Sequence, residues 1–198
     1  MKSPITRESL PGLRQDTVFT EVLCEKKLTF HTTWGLFSPR EIDSGTRLLL
    51  DHIVMPPGAS VLDLGCGYGA LGLALAATDP ATHVTMVDKD FVAVEYCSKN
   101  AEVNGLQNTT VLLSNGLQQV ETSGFDMVVT NLPAKSGKEL YYLMFYDAYF
   151  RLGSGGCFYI VTINGLRGFV KRVFNEVFGN YRKLKQGSVY TVAVATKD

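Results

Sequence analysis

The sequence lacks the features that would point to a metal centre, a disulfide-bonded fold or a membrane segment. Its 198 residues include three histidines and four cysteines, with no CxxC pair. Such scattered residues predict neither a zinc site nor a disulfide framework, and free thiols suit a reducing compartment. The sequence shows no secretory hydrophobic stretch and no apolar run long enough to span a bilayer. We expect a cytoplasmic protein with no metal and no membrane partner.

The chain also lacks an excess of charge of either sign, because 19 basic residues balance 19 acidic ones. The balance is uneven along the sequence. Residues 151–198 contain eight Lys or Arg and two acids, a local charge of +6 that leaves −6 for the remainder. This asymmetry is compatible with a basic face for RNA and equally with a solvated helix surface.

The length and the 45% hydrophobic content suit one well-packed α/β domain rather than two. Residues 1–26 are polar and interrupted by Pro4, Pro11 and Gly12. We interpret them as an N-terminal extension with one short helix around residues 17–23, and residues 27–198 as a single domain. The sequence is compatible with a monomer or a homodimer.

Residues 61–72 have the pattern of a buried strand that runs into a glycine turn and then a helix. Residues 61–64 include the short apolar run of a strand covered on both faces. Gly65 and Gly67 allow positive φ and place no Cβ between the backbone and a ligand. A helix over residues 70–77 would direct its N-terminus at that ligand. The stretch therefore predicts a cofactor loop.

Two classes of cofactor use such a loop. Gly67, Gly69 and Gly72 satisfy the GxGxxG spacing of dinucleotide-binding proteins, which is a weak signal by itself. Asp63, at the end of the strand, would repel a pyrophosphate but attract the ammonium group of a methionine moiety. This favours S-adenosyl-L-methionine (AdoMet) over NAD. Asp88 ends the next predicted strand, where an acid accepts ribose hydroxyls in either class.

Beyond the loop, the predicted strands and helices alternate. We expect strands over residues 84–88, 110–113, 125–130 and 156–162, and helices over residues 43–53, 91–104, 141–152 and 166–178. Right-handed crossovers between such elements give a doubly wound α/β sheet with parallel strands. A hairpin over residues 181–195, turning about residues 186–187, would close the chain.

Several segments, in the same order, resemble the motifs of class I AdoMet-dependent methyltransferases. These are residues 63–69 (DLGCGYG), Asp88 and residues 131–134 (NLPA). Residues 35–38 (GLFS) and 43–46 (DSGT) resemble, more narrowly, the methyltransferase small-domain family. That family includes the catalytic domain of ribosomal RNA guanine-N2 methyltransferases. The resemblance extends from about residue 27 to the C-terminus.

The resemblance implies a Rossmann-like sheet of seven strands, mostly parallel with an antiparallel C-terminal strand and with helices on both faces. It also implies AdoMet as the cofactor and S-adenosyl-L-homocysteine as the product. The expected cofactor-binding residues are Asp63, Gly65, Cys66, Gly67, Asp88, Lys89, Asn115, Gly116 and Asn131. In the family, the segment at residues 35–38 lies beside the cofactor. Alternatively, Trp34 and Phe37 cap the core.

Residues 131–134 form the candidate catalytic loop. Methyl transfer from a sulfonium depends mainly on holding the acceptor in line with the methyl carbon. The side-chain carbonyl of Asn131 and the backbone carbonyl of Leu132 are suited to accept the two hydrogens of an exocyclic amine, and Pro133 stiffens the turn. The family form is Asn-Pro-Pro followed by a bulky residue. Leu132 should therefore loosen the backbone, and Ala134 offers no ring to stack on a base.

We predict an AdoMet-dependent methyltransferase that modifies an exocyclic amine of a nucleobase, guanine-N2, in ribosomal or transfer RNA, with RNA as its partner. Two alternatives stay open. A methyltransferase for a small molecule or a protein side chain would suit the zero net charge and Ala134. A non-catalytic AdoMet-binding or RNA-assembly module would suit the departures in the loop. An NAD oxidoreductase is remote, because no Tyr and Lys pair or His stands out as catalytic.

Overall fold

Strands and helices alternate along most of the chain in the computed structural model, which describes residues 10–13 and 15–198. The strands are β1 (Thr17–Leu23), β2 (Lys26–Thr32), β3 (Ser60–Leu64), β4 (His83–Asp88), β5 (Thr109–Leu113), β6 (Phe125–Asn131), β7 (Leu152–Ile163), β8 (Arg182–Gln186) and β9 (Tyr190–Thr196). The helices are α1 (Leu10–Leu13), α2 (Ser44–Leu50), α3 (Ala70–Thr78), α4 (Phe91–Val103), α5 (Lys138–Arg151) and α6 (Arg167–Phe178).

Seven strands form one mixed sheet in the order β5-β4-β3-β6-β7-β9-β8. The strands from β3 to β7 pair in parallel, whereas β9 runs antiparallel to both β7 and β8. The predicted fold class, a mostly parallel doubly wound sheet with an antiparallel C-terminal strand, is confirmed. Helix α2 is shorter than predicted: it ends at Leu50 rather than near residue 53.

Helices cover both faces of this sheet because its central strands are apolar on both sides. One core joins the sheet to α2, α3 and α4 through residues such as Leu49, Leu73 and Cys97. The other joins it to α5 and α6, where the Phe158 ring of β7 lies 5.4 Å from the rings of both Phe145 and Phe174, centroid to centroid. Such double coverage leaves the carboxyl ends of the parallel strands as the open edge for a ligand.

Strand β1 corrects the predicted short helix around residues 17–23. It pairs with β2 along its full length, from Thr17 opposite Thr32 to Leu23 opposite Lys26. The two-residue turn places Cys24 and Glu25 at φ 48° and 63°, the left-handed pair that a tight hairpin turn requires. Neither residue is a usual turn signal, so the hairpin was not predicted. Residues 1–9 and 14 of the proposed extension lie outside the described residues.

No helix in the described part of the chain is both long and apolar enough to pass through a bilayer.

Candidate active site

A cleft of about 610 Å³ opens at the carboxyl edge of the sheet. Its volume lies in the range of small-molecule and cofactor sites, about 300–1,000 Å³. The structure brings together in this cleft every residue predicted for the cofactor or for catalysis: Asp63, Gly65, Cys66, Gly67, Asp88, Lys89, Asn115, Gly116, Asn131, Leu132 and Pro133. They come from strands β3, β4 and β6 and from the loops that follow β3, β4, β5 and β6.

The glycine loop is held against strand β4 by its own backbone. The amides of Gly65 and Cys66 donate to the Val87 carbonyl at 2.9 and 3.0 Å, and the Gly67 amide donates to Asp88 Oδ2 at 2.9 Å. Gly67 has φ +57°, and a Cβ built there would meet no atom within 4 Å. The loop is therefore rigid, yet its backbone is open on the side where a ligand would approach.

Gly72 lets the helix that follows the loop pack closely on the sheet. A Cβ at this position would lie 2.6 Å from the Met86 side chain and 2.9 Å from Asp63 Oδ2. The Gly72 amide donates to the same Asp63 oxygen at 2.8 Å. The third glycine of the GxGxxG spacing thus serves helix packing and fixes the Asp63 carboxyl.

Asp63 is the most unusual titratable group in the cleft. It is 1% exposed, and burial raises the pKa of its carboxyl from 3.8 to about 7. The Gly72 amide acts against that rise, and the charge of Asp88 adds to it. A cation placed beside Asp63 would favour the ionised carboxylate. The ammonium of a methionine moiety fits this requirement.

Asp88 and Asn115 lie at the ends of the neighbouring strands. Asp88 accepts hydrogen bonds from the Gly67 and Asp90 amides at 2.9 and 3.0 Å, one on each oxygen. Each oxygen retains a lone pair for a ribose hydroxyl. Asn115 is exposed, and no other described residue hydrogen-bonds its side-chain amide. These groups suit a nucleoside, and their assignment to ribose and adenine stays a prediction.

Asn131 is held on the opposite side of the cleft by a carboxylate and a hydroxyl. Its Nδ2 donates to Asp43 Oδ2 at 2.9 Å and to Thr46 Oγ1 at 3.0 Å. A carboxylate only accepts hydrogen bonds, so the amide nitrogen of Asn131 must face Asp43. The remaining polar atom, Oδ1, has no donor among the described residues and is the acceptor that Asn131 offers to a ligand.

Sequence reasoning missed the group that surrounds Asn131. Asp43 entered the sequence analysis only within the 43–46 motif and at the start of a predicted helix. In the structure it caps α2, because its Oδ2 accepts from the Gly45 and Thr46 amides at 2.9 and 3.2 Å. Its other oxygen accepts from the Tyr190 hydroxyl at 2.9 Å. Burial and Asp43 raise the pKa of Tyr190, which keeps the hydroxyl a donor. The 147 residues between these partners left no sequence signal.

The expectation that Leu132 loosens the catalytic loop is wrong. The Leu132 side chain is buried in the core beneath α5, and its amide donates to the Val161 carbonyl at 2.9 Å. The Tyr141 hydroxyl donates to the Pro133 carbonyl at 2.6 Å and accepts from the Ser136 amide at 3.2 Å. These contacts hold the loop without a second proline.

The exposed aromatic residues near the cleft were also interpreted in two ways. Trp34 and Phe37 are 68% and 67% exposed, so neither caps the core; Leu36 between them is buried instead. Phe37 lines the cleft close to Tyr68, whose hydroxyl donates to the Ser38 carbonyl at 3.2 Å. Within the described ranges, no three His, Cys, Asp or Glu side chains are grouped as metal ligands.

The sequence profile of the methyltransferase small domain matches residues 27–194. The chain belongs to this family. The predicted family is thus confirmed. Among curated members, the uncharacterized protein YbxB of Bacillus subtilis (strain 168) is 36% identical over 141 residues, which are 70% of each chain. The ribosomal RNA large subunit methyltransferase G of Aeromonas salmonicida (strain A449) is 30% identical over 177 residues, 86% of this chain and 46% of that protein.

A solved structure extends the comparison to three dimensions. The T. thermophilus 16S rRNA N2 G1207 methyltransferase (RsmC), in complex with AdoMet and guanosine, matches with a TM-score of 0.84 at 31% identity. The match covers 92% of this chain and 51% of that one. This small-domain chain therefore spans about half the length of the two ribosomal RNA methyltransferases it resembles.

Proposed function

We propose that the protein is an AdoMet-dependent methyltransferase that methylates the N2 amine of a guanine in ribosomal RNA. AdoMet, when bound, supplies an electrophilic methyl group on a cationic sulfur. Membership of the methyltransferase small domain family and the likeness to two ribosomal RNA methyltransferases support the activity and the substrate class.

The observation that carries the proposal is the fixed amide of Asn131. Both hydrogens of its Nδ2 are directed at Asp43 and Thr46, so its Oδ1 is left to accept a hydrogen bond in the cleft. The Leu132 carbonyl, next in the chain, receives no hydrogen bond from the described residues. Two neighbouring acceptors match the two hydrogens of an exocyclic amine.

The chemistry asked of these residues is positioning. The lone pair of a guanine amine is delocalised into the ring, and holding both amine hydrogens favours the geometry in which that lone pair attacks. Transfer breaks the bond between the methyl group and sulfur, forms the bond to nitrogen and leaves a cationic nitrogen, which then loses a proton to water. Ordering of this kind contributes about 7–11 kcal/mol to catalysis. The rigid loop at residues 131–136 suits that task, because Tyr141 binds both Pro133 and Ser136.

The cofactor residues would act on the other half of the cleft. Asp63 would bind the ammonium of the methionine moiety, with Gly65, Cys66 and Gly67 providing the loop around it. Asp88 would accept from the ribose hydroxyls. The side chains of Lys89 and Asn115 and the backbone of Gly116 would surround the adenosine.

Labelled methyl transfer tests the proposal. Ribosomal RNA and ribosomal subunits from a strain lacking the protein are incubated with enzyme and [methyl-³H]AdoMet, then digested to nucleosides. We expect label in N2-methylguanosine, and a loss of about 10²-fold or more in kcat for Asn131→Ala. The matched control is Asn175→Ala, an exposed asparagine on α6. Label in another nucleoside, or no transfer by a protein that binds S-adenosyl-L-homocysteine, would contradict the proposal.

A further inference from the structure

We propose that Asp43 is a positioning residue for methyl transfer: its carboxylate holds the amide of Asn131 and the hydroxyl of Tyr190, and thereby directs the Asn131 oxygen at the acceptor amine. This inference rests on the proposed function of Asn131. It adds a charged group, contributed by a helix outside the glycine and catalytic loops, to the residues on which the rate depends.

Three elements meet at this carboxylate. Asp43 precedes α2, Asn131 ends β6 and Tyr190 begins β9. Asn131 Nδ2 lies 2.9 Å from Asp43 Oδ2, and the Tyr190 hydroxyl lies 2.9 Å from Oδ1. All three side chains line the cleft. The Asp43 carboxylate therefore positions two side chains of the cleft: Asn131 at the end of β6 and Tyr190 at the start of β9.

The space around Asp43 is closed by a glycine. A Cβ built on Gly45 would lie 2.7 Å from Asp43 Oδ2 and 3.0 Å from the Tyr190 ring. The Gly45 and Thr46 amides at the start of α2 donate to Oδ2 at 2.9 and 3.2 Å and fix the orientation of the carboxylate. The Asp43 side chain has little freedom to rotate. Its hydrogen bond to Asn131 therefore restricts the Asn131 side chain as well.

The charge of Asp43 matters as well as its position. Positive charge develops on the acceptor nitrogen as the methyl group is transferred. An anion behind the Asn131 amide polarises it, so Oδ1 becomes a stronger acceptor for the hydrogens of that nitrogen. The effect is larger in the transition state than with the neutral amine, so removal of the charge should lower kcat more than it weakens substrate binding.

Two substitutions separate these contributions. Asp43→Ser retains a good helix cap, but its short side chain does not reach Asn131. Asp43→Asn keeps an oxygen for Asn131 and the α2 amides, while its new NH₂ can donate to the Tyr190 oxygen; only the charge is lost. We expect kcat to fall about 10²-fold in Asp43→Ser and roughly tenfold in Asp43→Asn. The affinity for S-adenosyl-L-homocysteine, measured by calorimetry, should stay within twofold.

The matched control is Asp79→Ser, the same substitution at another carboxylate, which accepts from the Gly58 and Ala81 amides at 2.8 and 2.9 Å. Its side chain does not line the cleft, so kcat should be retained. A kcat within threefold of wild type in Asp43→Ser, or a parallel loss of cofactor affinity, would overturn the inference. Should Asp43→Ser not fold, wild-type kcat in Asp43→Asn would overturn it. Full activity in Asn131→Ala would instead contradict the proposed function.

Discussion

Asp63 shows how one buried group connects the stability of the cofactor loop to its function. The fold keeps this carboxyl from water, and among the described residues only the Gly72 amide donates a hydrogen bond to it, at 2.8 Å. Burial therefore disfavours the charge, and the pKa of Asp63 rises to about 7. Without a cation beside it, an ionised Asp63 is a cost to the folded protein.

The sign of this effect can be measured. The pKa of Asp63 is higher in the folded protein than the ordinary 3.8, so its contribution to stability is complete below about pH 4 and is lost as the pH rises to about 7. The rise in pKa corresponds to a loss of about 4 kcal/mol in the free energy of unfolding above pH 7, where Asp63 is ionised in the folded protein.

We expect Asp63→Asn to remove this dependence, because an amide accepts from Gly72 without a charge. In urea denaturation of the cofactor-free protein, the variant should be more stable than wild type at pH 8, and the difference should shrink toward pH 4.5. Asp126→Asn, an exposed carboxyl that accepts from the Ser60 amide, is the control and should show no such trend. Equal pH profiles for Asp63→Asn and wild type would mean that Asp63 is not buried as described.

At the residue scale, sequence reasoning found the parts of the site that are local in the chain. Asp63 lies near the end of β3, and Asp88 and Asn131 end β4 and β6, so their positions at the sheet edge could be predicted. The contacts of Asp43 with Asn131 and Tyr190 span 88 and 147 residues. Residue spacing predicts contacts within one element or between neighbouring elements. It does not predict contacts between elements that are far apart in sequence, such as α2, β6 and β9.

At the scale of elements, the β1–β2 hairpin is attached to the domain by asparagine side chains. Asn100 on α4 accepts from the His31 amide at 2.7 Å and donates to the His31 and Tyr68 carbonyls at 3.0 and 2.9 Å. Asn104, one turn later, binds both backbone groups of Thr29 at 2.8 Å. The hairpin is thus coupled through Asn100 to Tyr68 in the cofactor loop.

We expect Asn100→Ala to destabilise the protein by about 2–4 kcal/mol, because the buried Tyr68 carbonyl and the part-buried amide and carbonyl of His31 lose their partner. It should also weaken S-adenosyl-L-homocysteine binding, since the Tyr68 carbonyl in the loop loses its hydrogen bond to Asn100. Asn104→Ala is the comparison, because it loosens the same hairpin but does not touch the loop. Urea denaturation and calorimetry measure the two effects. Equal losses of cofactor affinity in both variants would argue against coupling through Tyr68.

Element prediction succeeded where burial pattern and turn chemistry agree. The type of each strand and helix from β3 to β6 was predicted correctly. The reason is that apolar residues recur with the period of a strand or helix and some of the elements end at turn residues, such as Gly65 after β3 and Gly105 after α4. The prediction for the β1 segment failed for two reasons. The turn after β1 uses Cys24 and Glu25 at positive φ, and the inward face of β1 is covered by aromatic residues distant in sequence, such as Tyr68. Tertiary contacts decided its conformation.

At the scale of the whole molecule, the two halves of the sheet differ in role and charge. The proposed cofactor residues lie mainly at the ends of β3 and β4 and in the loops after β3, β4 and β5, and the proposed acceptor side is bordered by β6, β7 and β9. The basic C-terminal segment forms the edge beyond the acceptor side. Its exposed basic side chains are Arg167, Lys171, Arg172, Arg182, Lys183 and Lys185. Within the described residues, none of them forms an ion pair with a carboxylate.

This arrangement places the exposed basic residues of the C-terminal segment on α6 and on the edge strand β8. Overall topology was predictable, because alternating strands and helices leave few right-handed arrangements. The position of the positive charge was not, since it depends on β8 lying at the edge of the sheet. Lysines on an edge strand also prevent strand addition by another chain. The basic residues of β8 could serve either RNA binding or protection of the sheet edge. The two roles predict different results when these residues are neutralised.

We expect the triple variant Arg182→Gln, Lys183→Gln, Lys185→Gln to bind ribosomal RNA more weakly and with a smaller salt dependence. Each lost phosphate contact should reduce the slope of log K against log salt by about 0.7–0.9. Lys26→Gln with Lys27→Gln removes exposed charges from β2 in the hairpin sheet and should leave the slope unchanged. Filter binding at several salt concentrations measures the slope, and cofactor calorimetry verifies the fold. If the triple variant aggregates while its RNA affinity and slope equal those of wild type, the β8 charges serve edge protection and RNA approaches the cleft over another surface.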